Sequence, residues 1–438
     1  MARAKKEASL TPEERFQAAL VPDWEWPYKL PENWCWTYLG VVSEIVMGQS
    51  PAGKSTTNDS SYMPLIGGAA DMGELYPQVS RFTKTPTKQS QTDDVILSIR
   101  ATLGRPIFSD GIYCLGRGVV AFRSLIVTKE FLRYFFIDQE NYLYQNATGT
   151  TFAQVDSKTL KSMPFPLPPF HEQRRIVRRV ESLFTKLDEA KEKAQAVVDS
   201  FEIRKAAILH KAFTGELTAK WREEHGVSID NWKTTRFDSV AAIRSNLVDP
   251  AEYQSFPHIA PDNIEKKTGV LLEYHTIAED GVTSGKHRFY SGQILYSKIR
   301  PYLSKAVVVD FDGLCSADMY PIEAYQNARC LWYYMLSDEF LLQASTAGSR
   351  SVLPKINQKE LSALTVHLPT NDREQEEIAR ILDELFDKEQ QTKEAAEIVL
   401  DQIELMKKSI LARAFRGELG TNDPSEESAV ELLKRTIL

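Results

Sequence analysis

The sequence predicts an α+β protein built as a tandem repeat, in which two mixed α/β domains are separated by two long helices. The main observation is a 46-residue segment, 172–217, that reappears without a gap as 374–419 with 21 identical positions. Weaker matches continue upstream at an offset of 198 residues, as in Asn33-Trp34 and Asn231-Trp232. Because internal repeats of fixed period indicate repeated structural units, the chain contains two copies of one head-and-helix unit.

Both repeated segments have the heptad periodicity of a coiled coil. Apolar residues of the first segment step by alternating four and three positions, with small alanines near the middle. The same pattern in the second segment is interrupted at Glu389 and Thr392. Each segment predicts a helix of about 43 residues, roughly 64 Å long. The second seam comprises Ile378, Leu382, Leu385, Glu389, Thr392, Ala396, Val399, Ile403, Met406 and Ile410.

Capping signals delimit these helices. Asn371, with Glu374 three residues later, is a variant of the capping box, in which the two side chains bond each other's backbone. Gly215 and Gly417 suit the left-handed position that follows a helix. The alternative to a separate pair of helices is that both are buried in a larger bundle.

The charges do not decide whether the helices run parallel or antiparallel. An antiparallel pair would place Lys205 and Lys211 opposite acidic residues at 374–377. The same arrangement would place many cations at one end of the helix pair. These cations could repel one another, or they could form a partner-binding surface. The cations proposed for that surface are Arg174, Arg175, Arg178, Arg179, Lys407 and Lys408, with Arg413 and Arg416 close by.

Each head is predicted to mix strands and helices and to end at a proline-containing boundary that joins it stiffly to its helix. Segments 94–100 and 293–300 are strand-like and end on arginine, and segments 131–144 and 330–343 resemble aromatic-rich helices. The predicted parts are an N-terminal segment (1–30), the first head (31–170), the first long helix (171–217), a linker (218–230), the second head (231–369), the second long helix (370–420) and a tail helix (421–438).

The charge balance argues against a protein that binds nucleic acid through bulk charge. The net charge is −7, and segment 32–167 contains as many basic as acidic residues. A DNA-reading head would therefore have to concentrate its positive charge on one face. Four scattered cysteines without a CxxC pair fit a reducing cytoplasm and no zinc site.

No catalytic motif is supported by its surroundings. Residues 48–55 match the phosphate-binding pattern GxxxxGK[ST], but that chemistry needs a helix beginning at Lys54, and a polar loop follows instead. The Pro168-Pro169-Phe170 run resembles the motif of amino-methyltransferases but is preceded by Leu167 rather than a polar residue. The histidines show no metal-ligand spacing. We therefore expect a non-catalytic protein that binds no cofactor or metal.

Several short sequence motifs of the chain resemble those of the specificity (S) subunit of type I restriction-modification enzymes. They are Leu30-Pro31-Glu32-Asn33-Trp34, Gly48-Gln49-Ser50-Pro51, Gly149-Thr150-Thr151, the run 166–173 (PLPPFHEQ) and the run 212–217 (AFTGEL). The resemblance covers nearly the whole chain. The second copy departs from it, with Leu368-Pro369-Thr370-Asn371-Asp372 at the exit and Gly348-Ser349-Arg350 in place of Gly-Thr-Thr.

The resemblance implies two target-recognition domains that each read half of a split double-stranded DNA site, with an antiparallel coiled coil as spacer. It further implies a cytoplasmic prokaryotic complex, in which two methyltransferase (M) subunits grip the helices. S-adenosylmethionine would then belong to the M subunits, and ATP with Mg²⁺ to restriction (R) subunits. The alternative function is a coiled-coil adaptor that bridges proteins without reading DNA.

The DNA-contact candidates are polar or basic residues in glycine- or proline-rich loops or at strand ends. Arginine pairs well with guanine edges, whereas lysine and hydroxyl groups more often hold phosphate. Arg100 and Arg300 are preferred because they recur at matching positions of the repeat, although what recurs is also less suited to discriminate sequences. The candidates are Gln49, Ser50, Lys54, Arg100, Arg105, Thr150, Thr151, Lys286, Arg288, Lys298, Arg300, Ser349 and Arg350.

Overall fold

The structure, a computed structural model, describes residues 11–149, 152–347 and 354–437. The chain divides into two compact units, of which unit 1 is Met1–Lys193 with Val399–Leu438 and unit 2 is Ala194–Ile398. Each unit thus contains one head and about one half of each long helix. The predicted part boundaries divide the chain by sequence motif, whereas these units follow the packing of helix halves on a head.

The first head is built on two sheets and a separate strand pair. Its four-stranded antiparallel sheet has the order Ser43–Met47, Val119–Ser124, Val95–Arg100 and Thr102–Phe108. Its five-stranded sheet has the order Thr56–Thr57, Phe82–Thr83, Met63–Ile66, Cys114–Leu115 and Lys88–Gln89. Cys35–Tyr38 pairs with Pro164–Leu167 where the head is entered and left. The α-helices before the long one are Pro12–Ala19, Leu39–Val42, Lys129–Asp138, Glu140–Gln145 and Ser157–Lys161.

The second head repeats this plan. Its four-stranded sheet has the order Ala241–Ile243, Met319–Ala324, Ile294–Ser297 and Ala306–Val308. Its five-stranded sheet has the order Leu247–Val248, Lys286–Phe289, Gly313–Cys315, Pro257–Ile259 and His275–Thr276. Trp232–Arg236 pairs with Thr365–Pro369. The short α-helices of unit 2 are Ala219–His225, Ile277–Asp280, Ala328–Met335, Asp338–Ala347 and Gln358–Ala363.

The two heads differ at opposite edges of the five-stranded sheet. Both sheets share a core of four strands with one parallel pair at the centre, Met63–Ile66 with Cys114–Leu115 in the first head and Pro257–Ile259 with Gly313–Cys315 in the second. The first head adds Thr56–Thr57 at one edge, and the second adds Leu247–Val248 at the other. The divergent head sequences therefore fold to one topology with different edges.

The long helices agree with the heptad prediction except at one point. The second is continuous over Asp372–Phe415. The first runs over Phe170–Asp199 and resumes as Phe201–Phe213, so the predicted uninterrupted helix is broken at Ser200. The Ser200 hydroxyl donates to the Ala196 carbonyl at 2.6 Å, a back-bond that bends helices.

The predicted helix caps are present in large part. The Asn371 side chain accepts from the amide of Glu374, but the Glu374 carboxylate is engaged elsewhere and does not close the capping box. Gly215 and Gly417 adopt the expected left-handed conformation with φ of 79° and 73°.

Within each unit the two helix halves run antiparallel, as the family resemblance implied. In unit 1, Asp188 pairs with Lys407, and Lys191 pairs with Glu404 at 2.6 Å. In unit 2, the Lys393 ammonium lies 5.0 Å from the Phe201 ring centroid. Farther along the same pair of helices, Arg204 bonds Glu389 at 2.7 Å. Residue numbers thus rise on one helix as they fall on the other.

Two details of the helix prediction are wrong. Lys205 does not face residues 374–377. Its ammonium donates to the Lys267 carbonyl at 2.8 Å and anchors a loop of the second head. Val399 and Met406, assigned to the seam, are 40% and 44% exposed. In this half of the second helix Leu411, Ala414 and Phe415 are buried against the first head, so helix–helix periodicity alone does not identify the buried positions.

Each head is covered by the end of the other repeat's helix. Leu411, Ala414 and Phe415 of the second long helix belong to the core of the first head. Leu209, Ala212 and Phe213 of the first long helix occupy the matching place in the core of the second. The recurring AFxGEL motif therefore has a structural role. Its buried Ala-Phe pair completes the core of a head, and its glycine turns the chain after the helix.

The segments that follow the long helices are also folded onto the heads. The 218–230 segment, predicted as a linker, contains the helix Ala219–His225. The tail forms the predicted amphipathic helix over Ala429–Ile437 and packs against Pro12–Ala19, which begins with a complete capping box at Thr11. Both terminal helices therefore belong to unit 1.

The repeated Glu-Gln dipeptide joins head, helix and following segment in each unit. Gln173 donates to the Pro168 carbonyl at 3.2 Å and accepts from the Thr128 amide at 3.0 Å. Gln375 does the same with the Pro369 carbonyl at 2.7 Å and the Asn327 amide at 3.3 Å. This buried amide fixes the exit strand against the start of a head helix, which explains why the dipeptide recurs.

Candidate nucleic-acid interface

The first head contains a cleft of about 430 Å³ that is lined by two of the candidate residues. Ser50 and Arg100, both predicted from sequence, line it together with Arg81 and Arg117, which the sequence analysis missed. We call this the first-head cleft. It gathers three arginines on one face of a head whose total charge is balanced, as a DNA-reading surface requires.

The floor of the first-head cleft is made of closely packed glycine backbone. A Cβ atom on Gly118 would lie 2.4 Å from the Gly67 carbonyl oxygen, and one on Gly48 would lie 2.1 Å from the Gly116 carbonyl oxygen. Three loops can cross here only because these positions lack side chains. The paired glycines Gly67-Gly68 and the Gly116-Arg117-Gly118 run were the sequence signal that could have revealed Arg117.

The other described candidates of the first head are placed differently. Gln49 is held by its backbone, with its amide donating to the Leu115 carbonyl at 2.8 Å. Lys54 is exposed in the 3₁₀ turn Gly53–Ser55, which is followed by the strand Thr56–Thr57. No α-helix begins at Lys54, so this segment lacks the helix N-terminus that a phosphate loop needs.

Arg105 has a structural role in the same region. Its guanidinium donates to the carbonyl of Ala69 at 3.4 Å and to that of Met72 at 3.3 Å. Both carbonyls belong to the turn that borders the first-head cleft. Arg105 therefore supports the rim from outside. The candidates Thr150, Thr151, Ser349 and Arg350 lie outside the described residues.

In the second head, two of the four described candidates point into the protein. Lys286 is 6% exposed, and its ammonium donates to the Ser284 hydroxyl at 2.7 Å. Burial lowers the pKa of Lys286. Lys298 donates to the Ala317 carbonyl at 2.5 Å. Both ammonium groups already have protein acceptors that fix loops of this head.

Arg288 lies in an aromatic box. Its guanidinium is 4.8 Å from the Tyr290 ring centroid, 5.4 Å from that of Tyr253 and 5.9 Å from that of Phe256. These rings hold the guanidinium plane by cation–π contact. The neighbouring His287 is buried, and burial together with the charge of Lys298 lowers its pKa. Arg288 is therefore the pre-oriented cation of the second head.

Arg100 and Arg300 are not at equivalent positions. Arg100 forms a β-bridge with Gln154, and the matching bridge in the second head joins Ile299 to Lys355. The residue after each bridge is left-handed, with φ of 64° at Ala101 and 46° at Arg300. The sequence match is thus shifted by one residue, because the strand of the second head already ends at Ser297 and the loop takes a different path.

The predicted basic surface on the long helices is only partly free. Arg175 forms a two-bond pair with Glu426, which raises the pKa of Arg175 and lowers that of Glu426. Lys407 is paired with Asp188. Arg174, Arg178 and Arg179 remain exposed and without an ion pair among the described residues, as does Lys408. The end is less basic than expected because Glu426 of the tail and Asp188 of the first long helix each pair with one of these cations.

Two buried glutamates begin the repeated helix segments and differ in their surroundings. Glu374 accepts hydrogen bonds from Arg222, Trp232, Asn231 and Thr218 at 2.7–3.0 Å. Burial raises its pKa, and these four bonds, above all that from Arg222, outweigh burial and leave it lowered.

Glu172 accepts from the Trp34 indole at 2.9 Å and from the Thr421 hydroxyl at 3.3 Å, with no arginine in hydrogen-bond contact. Its pKa is raised by burial, which the Trp34 bond and the charge of Arg175 only partly offset.

Neither a metal site nor a membrane span is found in the part of the chain that the structure describes. Within 11–149, 152–347 and 354–437, no group of three or more His, Cys, Asp and Glu side chains could hold a metal ion. None of the described helices is long and apolar enough to cross a bilayer.

Comparison with known sequences identifies the family. The family described as type I restriction modification DNA specificity domain matches residues 31–198 and again 229–399. The chain belongs to this family. The two matches coincide with the two head-and-helix copies, so this specificity subunit carries two recognition domains in tandem. The specificity subunit of the Escherichia coli type I restriction enzyme EcoDI is 37% identical over 316 residues, which cover 67% of this chain and 71% of that one.

Solved structures share the fold of this specificity subunit. The HsdS subunit of Thermoanaerobacter tengcongensis superimposes with a TM-score of 0.60 at 20% identity over 90% of this chain and 99% of that one. A chain from a structure concerned with complex assembly and conformational transition of the type I R-M system gives a TM-score of 0.69 at 19% identity. It covers 90% of this chain and 100% of that one. At this level of identity the likeness establishes the α+β fold with two domains and long helices.

Proposed function

We propose that this specificity subunit reads a split, asymmetric DNA sequence with its two heads and performs no chemistry itself. The observation that carries the proposal is the first-head cleft, where Arg81, Arg100 and Arg117 converge in a head of balanced charge. Such local concentration supplies the phosphate attraction and the base-edge donors of a DNA-reading surface. The second head contributes Arg288 in its aromatic box.

The two heads are proposed to read different bases. They share one topology but differ in the residues proposed to read DNA. The first head has arginines in a cleft lined by glycines, and the second has aromatic rings around Arg288. Two unlike readers on one chain suit an asymmetric site with an unread gap. The long helices would set the length of that gap.

The chemistry is assigned to other subunits. We propose that two M subunits dock on the long helices, and that the exposed Arg174, Arg178, Arg179 and Lys408 contribute to one docking surface. S-adenosylmethionine would be bound by the M subunits, and ATP with Mg²⁺ by R subunits where these are present. The GxxxxGK[ST] segment forms a 3₁₀ turn followed by a strand, which supports placing nucleotide binding outside this chain.

The test is methylome sequencing of cells that express the neighbouring methyltransferase gene with and without this chain. A split, asymmetric methylated motif that depends on the chain is the expected result. If the subunits assemble but no motif appears, the chain is an adaptor that bridges proteins without reading DNA.

A further inference from the structure

We infer that Arg81, oriented by Asp71, recognises the major-groove edge of a guanine in the half-site that the first head reads. The inference rests on the proposed function and adds to it the base that is read and the residue pair that reads it. Neither Arg81 nor Asp71 was a candidate from the sequence.

Asp71 is a buried carboxylate that holds Arg81 in one orientation. It is 5% exposed, and its Oδ2 accepts from the Gly67 amide at 2.7 Å and from Arg81 Nη2 at 2.9 Å. Arg81 itself is about half exposed, with 48% of its side chain accessible, and it lines the first-head cleft. One end of the guanidinium is therefore fixed while its remaining N–H groups have no partner among the described residues.

The turn that carries Asp71 is itself held from several directions. The carbonyl of Asp71 accepts from the Gln78 amide at 2.8 Å. Arg105 clamps the carbonyls of Ala69 and Met72 on either side of it. A recognition residue needs this kind of support, because a bidentate contact is lost when the donor group moves by about 1 Å.

Gly67 allows the guanidinium to lie against the backbone. A Cβ atom on Gly67 would be 2.5 Å from Arg81 Nη2 and 3.2 Å from Asp71 Oδ2. The absence of a side chain at this position thus permits the Arg81–Asp71 pair to form.

The pair is suited to a base edge rather than to phosphate. Asp71 places a negative charge beside Arg81 within the cleft, which would repel a phosphate and leave the pair nearly neutral. Guanine presents two acceptors in the major groove, O6 and N7, that match two parallel N–H donors of an arginine. Arg100 and Arg117 line the same cleft without a described carboxylate partner, so they are free to follow the mobile phosphate backbone.

The competing explanation is that the ion pair only stabilises a loop. A half-exposed arginine gains little stability from an ion pair with a carboxylate, because solvent screens the attraction. Substitutions that separate charge, geometry and stability can decide between the two explanations. Arg81→Ala removes the donors, Arg81→Lys keeps the charge but not the planar pair of donors, and Asp71→Asn keeps the shape but not the charge that orients Arg81.

The experiment uses the specificity subunit assembled with its methyltransferase subunit. Once the methylated motif is known, duplex binding is measured by fluorescence anisotropy with each guanine of the first half-site replaced in turn by 7-deazaguanine, which lacks the N7 acceptor. For the wild-type complex, one such replacement is expected to weaken binding by roughly 5- to 150-fold. In Arg81→Ala and Arg81→Lys the same replacement should change affinity by less than about twofold.

The matched control is Arg117→Ala, which is expected to weaken all duplexes alike, to reduce the salt dependence of binding and to keep the 7-deazaguanine penalty. Asp71→Asn should lose the penalty without the reduced salt dependence of Arg117→Ala, because it removes a negative charge from the cleft. Melting temperature and subunit assembly show whether each variant is folded.

The inference is overturned if Arg81→Lys keeps the full penalty at every guanine, or if Arg81→Ala behaves like Arg117→Ala. A first half-site without guanine on either strand overturns it as well. All three outcomes leave the proposed function intact, whereas a wild-type complex that yields no split motif overturns both.

Discussion

The two buried glutamates, Glu172 and Glu374, occupy matching positions of the repeat but lie in different electrostatic surroundings. Glu374 is bonded to Arg222, whose side chain is 10% exposed. Glu172 has a tryptophan and a threonine as donors, and Arg175, whose charge acts on Glu172, is paired with Glu426. We predict that Glu374→Gln destabilises unit 2 strongly and that Glu172→Gln has little effect on unit 1.

The size of the Glu374→Gln effect follows from the buried cation, Arg222, that it leaves without an ion-pair partner. Removing one partner of a buried ion pair costs about 3–5 kcal/mol. The glutamine oxygen can still accept from Trp232, so we expect the lower end, about 3 kcal/mol. Unit 2 spans residues 194–398. For a unit of this size each kcal/mol shifts the melting temperature by about 2–4 °C, which gives a loss of about 6–12 °C. Glu172→Gln orphans no cation and should cost about 1 kcal/mol or less.

The pH dependence has opposite signs at the two positions. The pKa of Glu374 is lowered in the folded state, so its contribution is present above its ordinary value of 4.5 and is lost as the pH falls through the folded value. The pKa of Glu172 is raised, so the folded state binds the proton more tightly and gains stability as the pH falls through that raised value. As the pH falls, the stability difference between the wild type and Glu374→Gln should therefore become smaller. The stability of the wild type relative to Glu172→Gln should increase.

The assay is differential scanning calorimetry of the full chain and of both variants at neutral pH and at pH values above and below 4.5, with circular dichroism to confirm that each variant is folded. Equal decreases in melting temperature for the two variants, or a larger decrease for Glu172→Gln, would refute the claim that Arg222 makes the two sites different. An Arg222→Met variant combined with Glu374→Gln checks the mechanism, since removing both charges should recover part of the lost stability.

Substitutions of Gly118, Gln375 and Lys54 and a heptad insertion test other parts of the molecule. Gly118→Ala forces backbone apart at 2.4 Å, so it should cost about 1–3 kcal/mol and weaken DNA binding in a fluorescence titration, whereas Gly53→Ala, which meets nothing within 4 Å, should do neither. Gln375→Ala leaves a buried amide and carbonyl unpaired and should cost about 1–3 kcal/mol in thermal unfolding. Lys54→Ala should leave a titration with ATP unchanged, and a loss of ATP binding would revive the phosphate-loop interpretation. Inserting one heptad into both long helices, about 10 Å, should lengthen the unread gap of the methylated motif by about three base pairs, and an unchanged gap would discard the spacer role.

The repeat was readable from the sequence because its residues carry local physical constraints. The seam residues Ile176 and Ile378 must be apolar, and Gly215 and Gly417 must adopt positive φ. Each constraint therefore restricts the residue type at one position of the sequence. The same logic identified the family, since the recurring Glu-Gln dipeptide and the Ala-Phe pair are fixed by buried contacts within each unit.

The candidate site was only partly predictable. Ser50 and Arg100 were found through their glycine-rich or strand-end setting, and both line the first-head cleft. Arg81 was missed because its importance depends on Asp71, ten residues away on a different element, and neither residue stands in a distinctive pattern. Lys286 and Lys298 were chosen for their charge, but each ammonium is used by the protein's own carbonyl and hydroxyl groups.

The sequence by itself determined the tandem plan, the long helices, the family and the absence of a plausible phosphate loop, because periodicity, capping and repeated buried residues are properties of short segments. Tertiary structure alone decided which half of each helix packs on which head, that Arg100 aligns with Ile299 rather than Arg300, and which cations form ion pairs within the chain. These outcomes depend on contacts between residues far apart in the chain, such as Glu374 with Arg222 and Arg175 with Glu426. A charged side chain is available to a ligand only if such contacts leave some of its hydrogen-bonding groups without a partner.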